Sequence, residues 1–412
     1  MFFRIGVIKR MRNILPGGRK RALVVAPFFS SEMNANRPLS AACVLAELAA
    51  VDVVTTDFDH WTKRSKKQVQ VAPIERIVYL KTPAYRNNVS IRRLLSHVTF
   101  SVRAVRYFRK HCDSYDIVYV TLPLNLLGWL VLRSSGLKWK IADVTDIWPD
   151  VLPFPRWFFR VFRPLFAIWH KLYQHAAGEA DVMMAVSDSF FQQTLRSVKS
   201  DCRSRRFYLG EVDLLANVVK ESTLTVAYSG NLGHLYDFET ILDVMTDAER
   251  GSIQLFIVGD GDRREWLLNE LKRRDLLHQY FGSVYASEKL AGILSRAHLG
   301  FNGFVNTSAA FSTKASTYFA AGLPILNSMG GDLKKLVAER SLGLNYVGAD
   351  RASLKLCFSQ LNEASLNLMS QNCTKFFSAE LERGKIRQDM LGFLQEAWAA
   401  QRGASTIHGQ IQ

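Results

Sequence analysis

The chain reads as an α/β protein built of two doubly wound parallel-sheet domains that face a cleft. Three observations predict this. Its 412 residues exceed one ordinary core and suit two domains of about 200 residues each. Short apolar runs alternate with helical patterns from residue 22, and the same alternation starts again at residue 224. Polar residues with chemistry to offer follow those apolar runs, at the carboxyl edge where such sheets bind ligands.

In the first half, residues 22–29 (ALVVAPFF) form a strand, and 30–38 form a loop carrying Ser30, Glu32, Asn34, Asn36 and Arg37 where a substrate would sit. That loop lacks the glycine fingerprint of a dinucleotide site. A helix over 39–50 and strands at 51–57 and 77–80 come next. The basic stretch 92–110 has helical spacing with Leu95, Val98, Val102 and Val105 on one side, and strands at 116–122 and 140–144 follow it. The second of these ends in Asp143, Asp146 and Asp150. Residues 180–187 make a sixth strand, and Asp188 or Ser189 can cap the helix after it. The polar stretch 201–220 reads as irregular and contains the linker.

In the second half, a strand at 224–229 breaks at Gly230-Asn231-Leu232-Gly233 before a helix over 238–246. A strand at 253–258 ends in Gly259-Asp260-Gly261-Asp262 before a helix over 264–274. Strands at 280–284 and 299–304 flank a short helix over 290–297. Residues 311–327 (FSTKASTYFAAGLPILN) then organise the site. Ser312 or Thr313 can cap a helix that Gly322 and Pro324 terminate. A helix N-terminus with free N–H groups is an anion site, and Lys314 adds a full charge; the plainer reading leaves that lysine solvated. Residues 359–401 look helical and the last ten look like a tail. The domains are therefore placed at 1–21 (basic leader), 22–205, 206–220 (linker), 221–375, and 376–412 (helix and tail).

A net charge of +16 implies an anionic partner. The basic residues concentrate in the first 21 positions and between Lys63 and Lys110. Residues 155–174 (PRWFFRVFRPLFAIWHKLYQ) interleave aromatic and basic residues without an acid, including Arg156, Trp157, Phe159, Arg160, Arg163 and Trp169. This matches an interfacial helix on an anionic membrane, or alternatively a core helix with a basic exposed side. No nucleic-acid partner is expected, because no recognition motif accompanies the charge. The five cysteines lie far apart and no His cluster has ligand spacing, so neither a metal site nor a disulfide framework is indicated. No transmembrane helix or signal peptide is expected, and a cytoplasmic location, peripheral on the inner face of the membrane, fits.

Taken in order, GNLG after a strand, IVGDGDRREWL, FGSV, ILSRAHLGF and KASTYFAAGLPIL resemble the carboxyl-terminal domain of GT-B fold glycosyltransferases, which have two Rossmann-like domains. The likeness covers residues 22–347 and is nearest to the nucleotide-sugar transferases of bacterial surface polysaccharides, the family 4-like group. It implies a nucleotide sugar, UDP- or GDP-linked, as substrate, with no cofactor and no bound metal. Gly230, Asn231 and Gly233 would approach the sugar diphosphate, which Ser312, Thr313 and Lys314 would hold. Gly259, Asp260, Asp262 and Val284 would border the nucleotide, and Tyr318 belongs to the same Lys-x-x-x-Tyr pattern. Glu32, Asn36, Arg37 and Asp146 would face the acceptor, a lipid-linked saccharide in O-antigen, capsule or exopolysaccharide synthesis. The family's glutamate pair is missing: its positions hold Ala309 and Thr317.

Glycosyl transfer needs a stabilised diphosphate leaving group, a role for Lys314. An inverting reaction also needs a carboxylate base, for which Asp146 and Glu32 are the candidates. A retaining reaction can use the leaving phosphate itself. The competing readings are a non-catalytic GT-B scaffold or regulatory subunit, favoured by Ala309 and Thr317, and a soluble nucleotide-sugar epimerase, which would have no use for a membrane face.

Overall fold

The computed structural model describes residues 20–30, 36–60, 62–87, 90–137, 139–148, 160–216, 218–305 and 311–409, with 402–409 as backbone alone. Strands β1 (Arg21–Val25), β2 (Ala50–Thr56), β3 (Arg76–Leu80), β4 (Ile117–Leu122), β5 (Trp139–Val144), β6 (Val182–Ala185) and β7 (Arg203–Arg206) make one seven-stranded sheet. Its order is β3-β2-β1-β4-β5-β6-β7, with every pairing parallel. Every residue of β2, β4 and β6 is buried. Helices cover both faces of a parallel sheet, which is why these strands read as continuous apolar runs.

Helix α1 (Arg37–Leu45) lies on one face. Helices α2 (Ile91–His111), α3 (Asn125–Leu132) and α4 (Arg163–Gly178) lie on the other, where Phe100, Phe108, Leu127 and Tyr173 pack on Leu23, Val118 and Val120. Helix α5 (Asp188–Leu195) follows β6, capped by Ser187. The stretch 201–220, expected to be irregular, supplies β7. Its sequence RSRR hid it: an edge strand needs backbone pairing on one side only, and charged side chains guard the open edge.

The second sheet holds β8 (Leu224–Ser229), β9 (Ile253–Val258), β10 (His278–Tyr280), β11 (Leu299–Asn302), β12 (Ile325–Asn327) and β13 (Gly343–Asn345). Its order is β10-β9-β8-β11-β12-β13, again parallel. Helices α6 (Phe238–Asp247), α7 (Arg264–Arg273), α8 (Ser287–Leu294), α9 (Thr313–Ala320), α10 (Gly331–Glu339), α11 (Arg351–Ser359) and α12 (Glu363–Phe376) flank it. Strand β10 is shorter and earlier than the expected 280–284.

The last helix, α13 (Arg383–Gly409), runs through most of the residues read as a tail. It returns to the first sheet, where Met390, Phe393, Leu394 and Trp398 pack beside Ala41 and Leu45 of α1, and the Trp398 ring meets Trp139 edge-on. The chain thus crosses between the sheets twice. The crossings run side by side, with Glu211 N donating to the Leu381 carbonyl and Arg383 N to that of Glu211.

Each sheet reverses its strand order once, between β1 and β4 and between β8 and β11. In open parallel sheets the crevice outside such a switch point is the usual ligand site.

Candidate functional site

At the second sheet's switch point, β8 delivers Tyr228 and Gly230, β11 leads to Phe304, and helix α9 begins with Ser312, Thr313 and Lys314. Ser312 is the N-cap in an extended conformation, but its side chain makes no capping bond. The first N–H groups of α9 therefore lack the side-chain oxygen that usually closes a helix N-terminus, and the helix dipole adds positive potential there. Lys314 lies beside them. Its Nζ donates to the Tyr228 hydroxyl at 3.2 Å and stands 3.3 Å from the Tyr236 ring centre, 4.7 Å from that of Tyr228 and 4.8 Å from that of Phe304.

No carboxylate lies within ion-pair distance of Lys314 among the described residues. Burial alone pushes its pKa well below the usual lysine range. A cation partly removed from water without an acid carries a solvation cost that a bound anion would relieve.

Two glycines make this arrangement possible. Gly230 has φ 144°, and a Cβ there would come within 3.0 Å of the Lys314 Cδ. Gly259 has φ 134°, and its Cβ would fall 1.8 Å from the Gly230 carbonyl oxygen. The two strand-end turns are thus packed on one another, with the lysine stem across the first. Asn231, Asp260 and Asp262 are exposed around these turns and Val284 is half-buried. Asp260 accepts from Gly261 N at 2.8 Å and pairs with Arg264.

Tyr318 is not at the rim. Its ring is fully buried, and its hydroxyl accepts from Ser229 N at 2.9 Å and donates to the Phe301 carbonyl at 3.2 Å. It ties β8 to β11 below the crevice, a framework role in place of the ligand contact read from the sequence. Thr317, read from the sequence as standing at one of the family's glutamate positions, bonds to the Thr313 carbonyl and to the carboxylate of Glu211, which also pairs with Arg383. Ala309 lies outside the described residues.

The first sheet requires two further corrections. Asn36 and Arg37, expected to face an acceptor, are both buried. Asn36 caps α1, accepting from Leu39 N at 3.0 Å and donating to the Phe28 carbonyl. Arg37 makes a two-pronged pair with Asp143 at 2.6 and 3.1 Å and reaches the Phe207 carbonyl. The Tyr119 hydroxyl donates to the same carboxylate. Glu32, Asp150, Arg156, Trp157 and Phe159 lie outside the described residues.

Asp146 is at the carboxyl end of β5, half-buried, with its pKa raised to about 6 by burial, which Arg93 partly opposes. Around it stand side chains that no local pattern marked. His97 stacks on Trp148 at 5.2 Å, Arg93 covers the same indole at 5.0 Å, and Phe28 and Tyr85 meet His97 edge-on. His60 bonds to the Tyr85 hydroxyl at 2.7 Å. His60 and His97 are held neutral, each lowered to about 3, by burial first and neighbouring cations second. His97 Nε2 is buried with no hydrogen-bond partner among the described residues. The edges of the two sheets meet at α5 and α10, where Asp332 accepts from Ser189 N at 2.9 Å and from its hydroxyl. No group of side chains suited to a metal occurs among the described residues.

No family profile and no curated protein matches the chain in sequence. Solved structures do match in three dimensions. The chain is similar to a sucrose-phosphate synthase from Thermosynechococcus elongatus at 17% identity and a TM-score of 0.70, covering 93% of this chain and 100% of that one. The fold is GT-B. HepE of Anabaena, in complex with UDP and glucose, aligns over 92% of this chain and 100% of its own at 14% identity and a TM-score of 0.59. WaaG, a glycosyltransferase involved in lipopolysaccharide biosynthesis, aligns over 90% and 98% at 12% identity and a TM-score of 0.60. These likenesses carry the architecture, two parallel-sheet Rossmann-like domains; they leave this chain's chemistry to its own residues.

Proposed function

We propose that the chain is a glycosyltransferase that moves a sugar from a nucleotide-sugar donor to an acceptor hydroxyl. The observation that carries this reading is Lys314, a half-buried cation without a carboxylate partner among the described residues, beside an uncapped helix N-terminus at a sheet switch point. A diphosphate would accept from the α9 N–H groups and from Nζ, and the same contacts would stabilise the charge that grows on it as the glycosidic bond breaks. Neighbours of the same fold hold UDP and UDP-glucose, which favours a UDP-linked donor over a GDP-linked one.

In this reading the acceptor oxygen attacks the anomeric carbon and the bond to the diphosphate breaks. The acceptor's proton goes to Asp146 if configuration inverts, or to the leaving phosphate if it is retained. A carboxylate titrating near 6 is still ionised at neutral pH, yet more basic than an exposed aspartate.

The acceptor is a lipid-linked saccharide at the inner face of the cell membrane, and the first domain docks there. Arg160 and Arg163 are exposed at the start of α4, beside exposed Val161, Leu165 and Ile168. Trp169, read from the sequence as part of the membrane face, is turned inward, packing on Phe166 and Trp148. Helix α2 exposes Ile91, Leu94, Leu95, Val98 and Val102 among arginines. Apolar stripes flanked by cations suit an anionic leaflet, and no helix among the described residues is long and apolar enough to span one.

Thermal melting against UDP, GDP, CMP, ADP and dTDP tests the donor site. One nucleotide should raise the melting temperature of the wild type, and its effect should shrink in Lys314→Ala. If none has an effect on folded protein with phospholipid present, the scaffold reading replaces this one.

A further inference from the structure

The loop between β2 and β3 folds into a small hairpin. Phe58 pairs with Ser65 in an antiparallel bridge, Asp59 N donates to the Arg64 carbonyl at 2.8 Å, and Lys66 N to that of Asp57 at 2.7 Å. The hairpin concentrates Lys63, Arg64, Lys66 and Lys67 beside the end of β1. Between it and Phe29 and Ser30 lies a cavity of ≈ 200 Å³, also lined by Thr62, Ser65 and Tyr79. It opens at the carboxyl edge of the first sheet, on the β1 side of the switch point.

The charges of this cavity do not balance internally. Arg64, Lys66 and Lys67 line it, and none has a carboxylate within ion-pair distance among the described residues. The lone acid in the lining, Asp59, accepts from Thr62 N at 2.7 Å and from its hydroxyl at 3.0 Å. Lys66 is held from below by neutral oxygens only: Thr55 Oγ1 at 3.0 Å, Thr56 Oγ1 at 3.4 Å and the Pro27 carbonyl at 3.5 Å. Burial lowers its pKa to about 8, with Asp59 and Asp57 partly opposing. Three cations and the hydroxyl of Ser65 converging on one small space are the donor set of an anion with several oxygens. The cavity is smaller than the roughly 300 Å³ at which ordinary ligand pockets begin, so it takes a charged group and not a whole saccharide.

We infer that this cavity is an anion subsite that receives a phosphate group carried by the acceptor. The inference rests on the glycosyl-transfer reading for the word acceptor, and on the cavity alone for the phosphate. A phosphorylated sugar and a phosphate on a lipid carrier offer the same chemistry, and the experiment separates them.

Calorimetric titrations would use glucose 6-phosphate as the free source. Phosphatidylcholine vesicles doped with a polyprenyl phosphate would be the lipid source, and phosphatidylglycerol vesicles of equal charge the control. The proteins are the wild type, Lys314→Met to silence the α9 site, Lys66→Gln, and Arg64→Gln/Lys67→Gln, whose exposed side chains make no bonds to the described residues and whose loss should leave the fold intact. Saturable binding of one phosphate source is expected in the wild type and in Lys314→Met. It should weaken by about tenfold or more in the double variant, the worth of at least one charged hydrogen bond. Binding of glucose 6-phosphate alone would assign a free sugar phosphate, and binding of the polyprenyl phosphate above the control a lipid one. Affinities unchanged in both Lys66→Gln and the double variant, or no saturable binding of either source, would overturn the inference and leave a solvated hairpin. UDP melting shifts on the same samples separate the two readings. UDP binding without phosphate binding sinks only the subsite. Phosphate binding without any nucleotide binding upholds the anion site and sinks its acceptor role.

Discussion

Replacing Lys314 with methionine separates a ligand-binding lysine from a structural one, because the two roles predict opposite changes. Methionine keeps most of the stem that lies over Gly230 and among the rings of Tyr228, Tyr236 and Phe304, and removes the charge together with its bond to the Tyr228 hydroxyl. Without ligand, the variant loses a cation–π contact of about 0.5–2 kcal/mol and escapes a desolvation penalty of similar size, so its stability should stay within about 1 kcal/mol of the wild type. Toward UDP the loss is one charged hydrogen bond, about 1.5–3 kcal/mol, or roughly ten- to a hundredfold in Kd. At a UDP concentration about 100 times the wild-type Kd, ligand stabilisation should fall from about 2.7 kcal/mol to between roughly 1.4 and 0.4.

Proton linkage gives an independent readout of the same lysine. Its pKa is depressed by burial in the free protein and would rise when a diphosphate arrives, so binding should take up protons, and affinity should fall as pH rises. Calorimetry in buffers of different ionisation enthalpy measures the uptake. A variant that loses several kcal/mol of stability while binding UDP with unchanged affinity would refute the assignment.

Three further outcomes are expected. Arg37→Met leaves the buried Asp143 carboxylate without its cation and should cost about 3–5 kcal/mol in urea unfolding; a loss below about 1 kcal/mol would refute the pair's structural role. His60 and His97 bind protons less readily folded than unfolded, so stability should decline as pH falls from about 6.5 toward 3. Asp146 pulls the other way between 3.8 and about 6, so the decline should steepen in Asp146→Asn and flatten in His97→Gln, as followed by acid titration of the melting temperature. Charge on the apolar stripe of α2, as in Leu95→Asp/Val98→Asp, should release the protein from phosphatidylglycerol vesicles in a flotation assay; unchanged flotation would remove α2 from the membrane face.

Much of the architecture is local information and was readable in the chain. Strands buried on both faces must be continuous apolar runs, so β1, β2, β4, β6, β8 and β9 declared themselves, and the glycines before α6 and α7 marked the turns. The 311–327 stretch announced both a helix start at Ser312 and its αL exit at Gly322. Other features could not be read locally. Strand β7 is four polar residues whose only qualification is a free edge on β6. Arg37 stands in a loop that looks solvent-facing, and its partner Asp143 lies over a hundred residues away, so its burial became visible only with the sheet assembled. Tyr318 shares its helix with Lys314, and only the register of β8 against β11 shows that it points into the core. The grouping of His60, Arg93, His97 and Asp146, the cavity at Lys66, and the return of α13 to cover the first sheet all depend on crossovers between distant segments. Sequence spacing dictates which residues share an element's face; which faces meet is settled by how the sheets order their strands, and that order sums over contacts along the whole chain.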